Sequence, residues 1–535
     1  MQALELILIL LAVTAALQIV AERYSIPLPA LLILAGLILA VTPGLPRVEL
    51  DPDIIFLIFI PPLLYWAALT ASLRDLSRNL RSISLLAVGL VLATMIVVAW
   101  VAHAIFPEMT GSSAFVLGAI VSPPDAVAVS AVTRRLGLPN AINTILNGES
   151  LLNDATAFVA YRMAVAAVVA GTFSIWQAGF RFVWTGVGAI ALGLVIGWLI
   201  GRLRPLIGQT PLVENTISLL TPFVAFIPAE RLGLASVLTV VATGLYLGRR
   251  GPKVVSAVTR LQTIAMWEML VFILEGLIFI IVGLELRNVL QALTGHSLSR
   301  LIYYTVVLSA VMIAVRIGFV FVGSYLPRFI GGHRRGRSKA EPYPPWREVL
   351  FVGWAGMRGG DSLVIALALP LVTQLGGPFP ARDLIIFLTF GVILISLVVQ
   401  GFSLVPITRW LKLTADTAAA DNEESKARLR SAQAALRYLI EISDKQPATS
   451  DGVVDKLRQH HEHRIHRLTS EKVNNESQTD ARYQADYRRI RLEMISAERR
   501  QIVSLRDKSE INDDVMRRIQ QDLDLEEVLL SPHES

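Results

Sequence analysis

The 535-residue chain has no cysteine, and only 17% of its residues are charged. The first absence excludes disulfides and thiolate metal sites. The second, beside a hydrophobic fraction of 53% and a mean hydropathy of +0.56, excludes an ordinary soluble domain. No phosphate-cradling glycine loop of the Walker type occurs, so ATP is not the expected energy source. The first apolar stretch lacks a basic lead-in, carries Glu5 and is followed by many more, so it reads as a retained span rather than a cleavable signal.

Apolar runs of the length that crosses a ~30 Å hydrocarbon core recur up to about Leu411. They cover roughly 3–21, 28–44, 54–70, 83–106, 113–131, 145–170, 182–201, 214–229, 233–248, 264–286, 301–326, 348–370 and 384–408. The expected fold is an all-α polytopic membrane protein of about thirteen spans, with domain 1–411 in the membrane and a polar helical tail, 412–535. Only Glu230 and Arg231 separate the eighth and ninth runs.

Loop charge sets an orientation. Arg74, Arg78 and Arg81 follow the third run, Arg134 and Arg135 the fifth, Arg202 and Arg204 the seventh. Arg249, Arg250, Lys253 and Arg260 follow the ninth, and Arg328, Arg334, Arg335, Arg337 and Lys339 the eleventh. Even-numbered exits are poor in Lys and Arg. The expectation is an N-terminus outside a plasma (cell inner) membrane and a cytoplasmic tail. The formal net charge of +6 lies largely in these loops, which implies an anionic lipid leaflet as partner and not nucleic acid.

Charges inside the apolar runs carry the chemistry, because an ionisable side chain in hydrocarbon costs at least ~2.5–3.5 kcal/mol and so faces a partner, an ion path or water. Gly148-Glu149-Ser150-Leu151-Leu152-Asn153-Asp154 opens the sixth run. Ser150 and Asp154, four apart, share a helix face, whereas Glu149 lies about 140° around the helix from Asp154. Asp154, Ser150 and nearby carbonyls supply the oxygens a bare alkali cation wants. The same carboxylate can hold a proton instead, with burial and nearby cations pulling its proton affinity in opposite directions. Exclusive occupancy by one or the other makes an exchanger; the alternative is a structural acid bonded to other helices.

The fifth run is broken by Ser122-Pro123-Pro124-Asp125, and the twelfth by Gly353, Gly356, Gly359 and Gly360 around Arg358. Prolines remove backbone donors and free carbonyls, and irregular backbone at membrane depth survives only inside protein or along a cavity. Corresponding broken segments in two halves point to inverted repeats with a binding site between them. Asp125 is expected to neutralise the following half-helix and to pair with Arg358; a kinked helix without further consequence is the alternative. Arg316, mid-span, needs an acid, and Glu149 is the candidate.

In the tail, Leu429, Leu436, Ile440, Ile490, Ile495 and Val503 recur at helical spacings among charges, which reads as solvated helices that pair with each other or with a second copy. His460, His461, His463 and His466 could bind metal or sense pH, but an exposed polar helix face accounts for them as well.

The runs SPPDAVAV and NGESLLNDA, then ENTISLLTPF, WEMLVFILEGLIFIIVGLEL, GWAGMRGGDSLVIALALP and VVQGFSL, resemble the monovalent cation:proton antiporter-1 family, which includes the sodium/proton exchangers. The resemblance covers 1–411. It implies thirteen helices in two inverted repeats, two crossing broken helices, a homodimer and no cofactor beyond the transported ions. It also implies that Asp154 exchanges Na⁺, Li⁺ or K⁺ for a proton with support from Asn153 and Ser150, and that Glu149–Arg316 and Asp125–Arg358 are structural pairs. Three departures stand out. Pro124 replaces a frequent Thr and offers only a backbone carbonyl. Tyr65 and Trp66 stand where many members carry an acid after Pro61-Pro62. Glu275 and Asp361 stand where Asn and an apolar residue are common, and are expected to compensate as auxiliary acids. The leading expectation is an electroneutral antiporter, with one titratable carboxylate at the motif, serving pH and cation homeostasis. The alternatives are a cation channel, which would want a repeated filter segment, and a membrane sensor signalling through its tail.

Overall fold

The computed structural model describes residues 2–24, 26–42, 52–125, 129, 138–170, 175–207, 210–254, 257–293, 297–334, 344–373 and 376–413, together with scattered positions between 429 and 527. Contacts divide the chain into two units, Met1–Ala415 and Asp416–Ser535. In the second, described residues 432–440 form a helix and an exposed Arg458–Glu462 pair holds one further turn. The histidine cluster and the 126–128 stretch after Asp125 lie outside the described residues.

The first unit is helical, because apolar runs in hydrocarbon must satisfy every backbone group within the segment. Besides a six-residue helix at Leu73–Arg78, its described helices are α1 Gln2–Tyr24, α2 Leu28–Val41, α3 Pro52–Thr70, α4 Leu80–Ile105, α5 Gly111–Val121, α6 Asn140–Ala170 and α7 Ile175–Ile207. They continue as α8 Pro211–Arg231, α9 Ser236–Val254, α10 Ala257–Ala292, α11 Leu298–Arg334, α12 Trp346–Trp354, α13 Gly360–Leu367 and α14 Arg382–Leu411. Among the described residues, β pairing is confined to one isolated bridge, Val372–Pro378. Among the described residues, eight helices are long and apolar enough to cross a membrane. The remaining expected spans fall on α2, α3, α5 and α9, and on α12 with α13, which are shorter, broken or more polar.

Small residues let these helices approach closely, since lipid offers no hydrophobic drive between them. α2 lies along α10, and a Cβ on Gly36 would stand 2.8 Å from the Cα of Gly283. Neither helix can accept a side chain there without moving apart. α5 packs against both α4 and α6, and α13 packs against α3, α5 and α14. The two broken segments are thereby brought to the middle of the unit. Gly36→Leu should lower stability by about 1–3 kcal/mol through overpacking, seen as a lower thermal midpoint of the detergent-purified protein. An unchanged midpoint would show that the α2–α10 contact is not tight.

Candidate functional site

α5 stops at Val121, and Ser122, Pro123 and Pro124 are buried without helical structure. α12 stops at Trp354, and the chain runs through Ala355, Gly356, Met357, Arg358 and Gly359 before α13 begins. The two breaks touch through backbone: Asp125 N–H donates to the Met357 carbonyl at 2.8 Å. Asn153 of α6 joins them, its Nδ2 donating to the Pro124 carbonyl at 2.9 Å.

Arg358 does not turn to Asp125, the partner expected for it. Its Nε donates to the Val121 carbonyl at 2.6 Å and its Nη1 to the Gly356 carbonyl at 2.8 Å. One buried guanidinium therefore meets the negative C-terminal ends of both broken helices, where orphan carbonyls concentrate. Asp125 does the reverse. Its carboxylate lies against Gly359, the residue before α13, so closely that a Cβ on Gly359 would fall on it. An anion at a helix N-terminus meets the positive end. Each charge thus offsets a helix dipole, and opposite dipoles explain why the two are both present.

A polar relay holds the second break. Arg358 N–H donates to Ser396 Oγ at 2.9 Å, Ser396 Oγ donates to Gln400 Oε1 at 2.6 Å, and Gln400 Nε2 donates to the Trp354 carbonyl at 2.8 Å. Ser396–Gln400 is a π-helical turn within α14, the kind of local widening that recurs at functional sites. Sequence reasoning missed this relay, although Gln400 sits in the VVQGFSL run.

Glu149 and Arg316 meet side by side. Arg316 Nη1 and Nη2 donate to Glu149 Oε1 and Oε2 at 2.6 and 2.8 Å, and each side chain is 1% exposed. Nη2 also donates to the Val352 carbonyl. Gly356 makes room, because a Cβ there would collide with the Arg316 side chain.

Asp154 lies on another face of α6, half-buried, and among the described residues it has no ion pair or hydrogen bond. Its electrostatic neighbours are Asp361 and Asp125, and those of Asp361 are Asp125 and Glu275. Four carboxylates from four segments thus share one region, and all four are half-buried. They do not close into a cage: among the described residues no three acidic or imidazole groups stand as a metal site. Asn153 Oδ1, buried beside Asp154 in sequence, has no hydrogen-bond partner. Ser150 is buried one turn earlier on the Asp154 face. The Pro124 carbonyl, with one lone pair engaged by Asn153, retains a second.

A cavity of about 470 Å³ begins one turn beyond the acids. Phe158 and Arg162 continue the Asp154 face of α6, and Ile365 and Ala368 continue the Asp361 face of α13. Arg162 forms an ion pair with Glu230 of α8 and lies over the Phe158 ring at 4.7 Å from its centre. Ser236 Oγ donates to the other Glu230 oxygen at 2.8 Å. Arg162 is a mid-span charge like Arg316, so the signal that would have found it was present.

The profile described as "Sodium/hydrogen exchanger, transmembrane" matches residues 8–410. The chain belongs to the sodium/hydrogen exchanger family. It is 37% identical over 521 residues to an uncharacterized Na⁺/H⁺ exchanger of Mycobacterium tuberculosis, covering 96% of this chain and 94% of that one. It is 35% identical over 405 residues to the sodium, potassium, lithium and rubidium/H⁺ antiporter of Bacillus subtilis, covering 74% and 59%. The fold is similar to that of the sodium proton antiporter MjNhaP1 from Methanocaldococcus jannaschii at pH 8, with a TM-score of 0.58 at 20% identity, covering 77% of this chain and 99% of that chain. This exchanger-family chain is therefore a multi-pass membrane transport protein.

Removing either Glu149 or Arg316 strands a buried charge, so Glu149→Gln or Arg316→Gln should each cost about 3–5 kcal/mol. The double change Glu149→Leu with Arg316→Met should recover most of that loss. Thermal unfolding of the purified variants checks this; a double variant as unstable as the singles would refute the account.

Proposed function

We propose that the chain is a secondary antiporter that exchanges one monovalent cation, Na⁺ first and K⁺ or Li⁺ as alternatives, for one proton at Asp154. The observation that carries the reading is an Asp154 without a salt-bridge partner, facing the like charges of Asp361 and Asp125. A lone carboxylate in repulsive surroundings gains from binding either a cation or a proton, and both cannot occupy it together. Asn153 Oδ1, Ser150 and the Pro124 carbonyl are the neutral oxygens in reach to complete a cation shell. Glu149–Arg316 and Arg358 hold the frame, and Asp125 holds the start of α13. The names of the relatives support the class of cargo, and the named cations of the Bacillus subtilis antiporter keep the selectivity open to several alkali ions.

The same proposal includes thirteen crossings in two inverted repeats, an N-terminus outside the cell membrane and the 412–535 tail in the cytoplasm. It includes a homodimer, exchange without ATP or cofactor, and electroneutral stoichiometry. The crossing of α5 with α12–α13 supports the inverted repeat, and the clustering of arginine at one set of span ends supports the orientation.

Proteoliposomes given Na⁺, K⁺ or Li⁺ separately should show cation-induced proton movement with wild-type protein. Asp154→Asn should reduce it to the empty-liposome background. Equal exchange by the variant would refute the assignment. The auxiliary acids have their own test: Asp361→Asn and Glu275→Gln should each raise the half-saturating cation concentration severalfold with little change in maximal rate. If both leave that concentration unaltered, neither acid compensates for the one missing from α3.

A further inference from the structure

Away from the carboxylates, a second cavity of about 180 Å³ is lined by Arg204, Glu214 and Arg260. Arg204 closes the α7 span and Glu214 lies in the first turn of α8. Thr70 at the end of α3 and Thr259 at the start of the α10 span line it too, so four span ends converge here. That places the cavity at the level where hydrocarbon gives way to headgroups. The surrounding rim is basic, with Arg202, Arg249 and Arg250 on neighbouring span ends, and Trp66 supplies the interfacial aromatic.

Arg204 is 9% exposed and Glu214 5% exposed. Both line the same space, yet among the described residues neither forms an ion pair. Arg204 Nε and Glu214 Oε2 are fully buried without a hydrogen-bond partner. Behind them the buried Tyr65 hydroxyl stands beside Arg204, Ser218 and Thr221. Two buried opposite charges held apart across one cavity need an occupant that meets both. A simple anion leaves Glu214 uncompensated, and a simple cation leaves Arg204 uncompensated. A zwitterion with a phosphate at one end and a hydrogen-bonding ammonium at the other satisfies each. Leu212, Val213 and Leu261 are exposed on the flanking helices and Ile264 is exposed at the cavity wall, an apolar surface for acyl chains.

We propose that this cavity is a phospholipid headgroup site selective for phosphatidylethanolamine, with the phosphate on Arg204 and Arg260 and the ammonium on Glu214. The site rests on the membrane placement of these span ends and is independent of exchange at Asp154. Arg204 and Arg260 supply charge-assisted donors to phosphate oxygens. Glu214 supplies the discrimination, because the trimethylammonium of phosphatidylcholine has no N–H to donate and phosphatidylglycerol has no cation.

The test is lipid retention by the delipidated full-length protein in detergent, read by native mass spectrometry and by thermal stabilisation. Phosphatidylethanolamine, phosphatidylglycerol and phosphatidylcholine are supplied at equal concentration. Wild type should retain phosphatidylethanolamine at least threefold over the other two, and soluble phosphoethanolamine should compete poorly. Arg204→Gln should abolish retention, and the exposed Arg260→Gln, which has no buried role to disturb, should weaken it severalfold. Glu214→Gln should erase the preference over phosphatidylglycerol. Equal retention of all three lipids by wild type, retention unaffected by Arg260→Gln, or a preference that survives Glu214→Gln would each overturn the proposal. Efficient competition by soluble phosphoethanolamine would overturn it in favour of a soluble ligand.

Discussion

A helix broken in the middle of a membrane leaves carbonyls and N–H groups with nowhere to go, and this chain breaks two helices at one place. Everything at the centre of the molecule answers to that constraint. Arg358 gathers carbonyls from the ends of both broken helices, and the Asp125 carboxylate sits at the start of α13. The Asp125 amide closes the gap through Met357, and Asn153 reaches across from α6 to the remaining break. The charges at the crossing are thus matched to dipoles first and to each other second. That ordering also leaves acids over: with Arg358 turned toward carbonyls and Arg316 committed to Glu149, neither of these buried cations is bonded to Asp154.

The α6 helix sorts its two acids by geometry. Glu149 and Asp154 are five residues apart, so they face different neighbourhoods. One points into a dry cluster with Arg316, where a permanent charge is locked by two hydrogen bonds. The other is half-buried among like charges. A fixed ion pair and the carboxylate proposed for exchange can therefore stand within two turns of one helix in separate surroundings.

The helical, multi-pass character and the acidic run in α6 were legible because hydrocarbon penalises charge so heavily that every exception is visible. Glu149 and Arg316 were matched from sequence since each was conspicuous and lacked another partner. Asp125 and Arg358 were equally conspicuous, yet pairing them by sign went astray: the partners of Arg358 are main-chain carbonyls, one of them 237 residues away, and a sequence does not mark which carbonyls a break sets free. The Ser396–Gln400 relay was hidden for a similar reason, since neither residue carries charge. Arg162 was discoverable by the rule that exposed Arg316 and was passed over, while Arg204 and Glu214 read as ordinary loop-flanking charges until burial distinguished them.

The Arg358 clasp has a further consequence for how this chain tolerates change. Its two acceptors belong to the backbone of Val121 and Gly356, which no substitution can delete. Mutational risk at the crossing is accordingly lopsided. Side chains along both breaks other than Asp125 can drift as long as their size permits the approach, whereas position 358 alone carries the side-chain donors of this clasp. The centre of the molecule is fastened by a knot with only one end that heredity can untie.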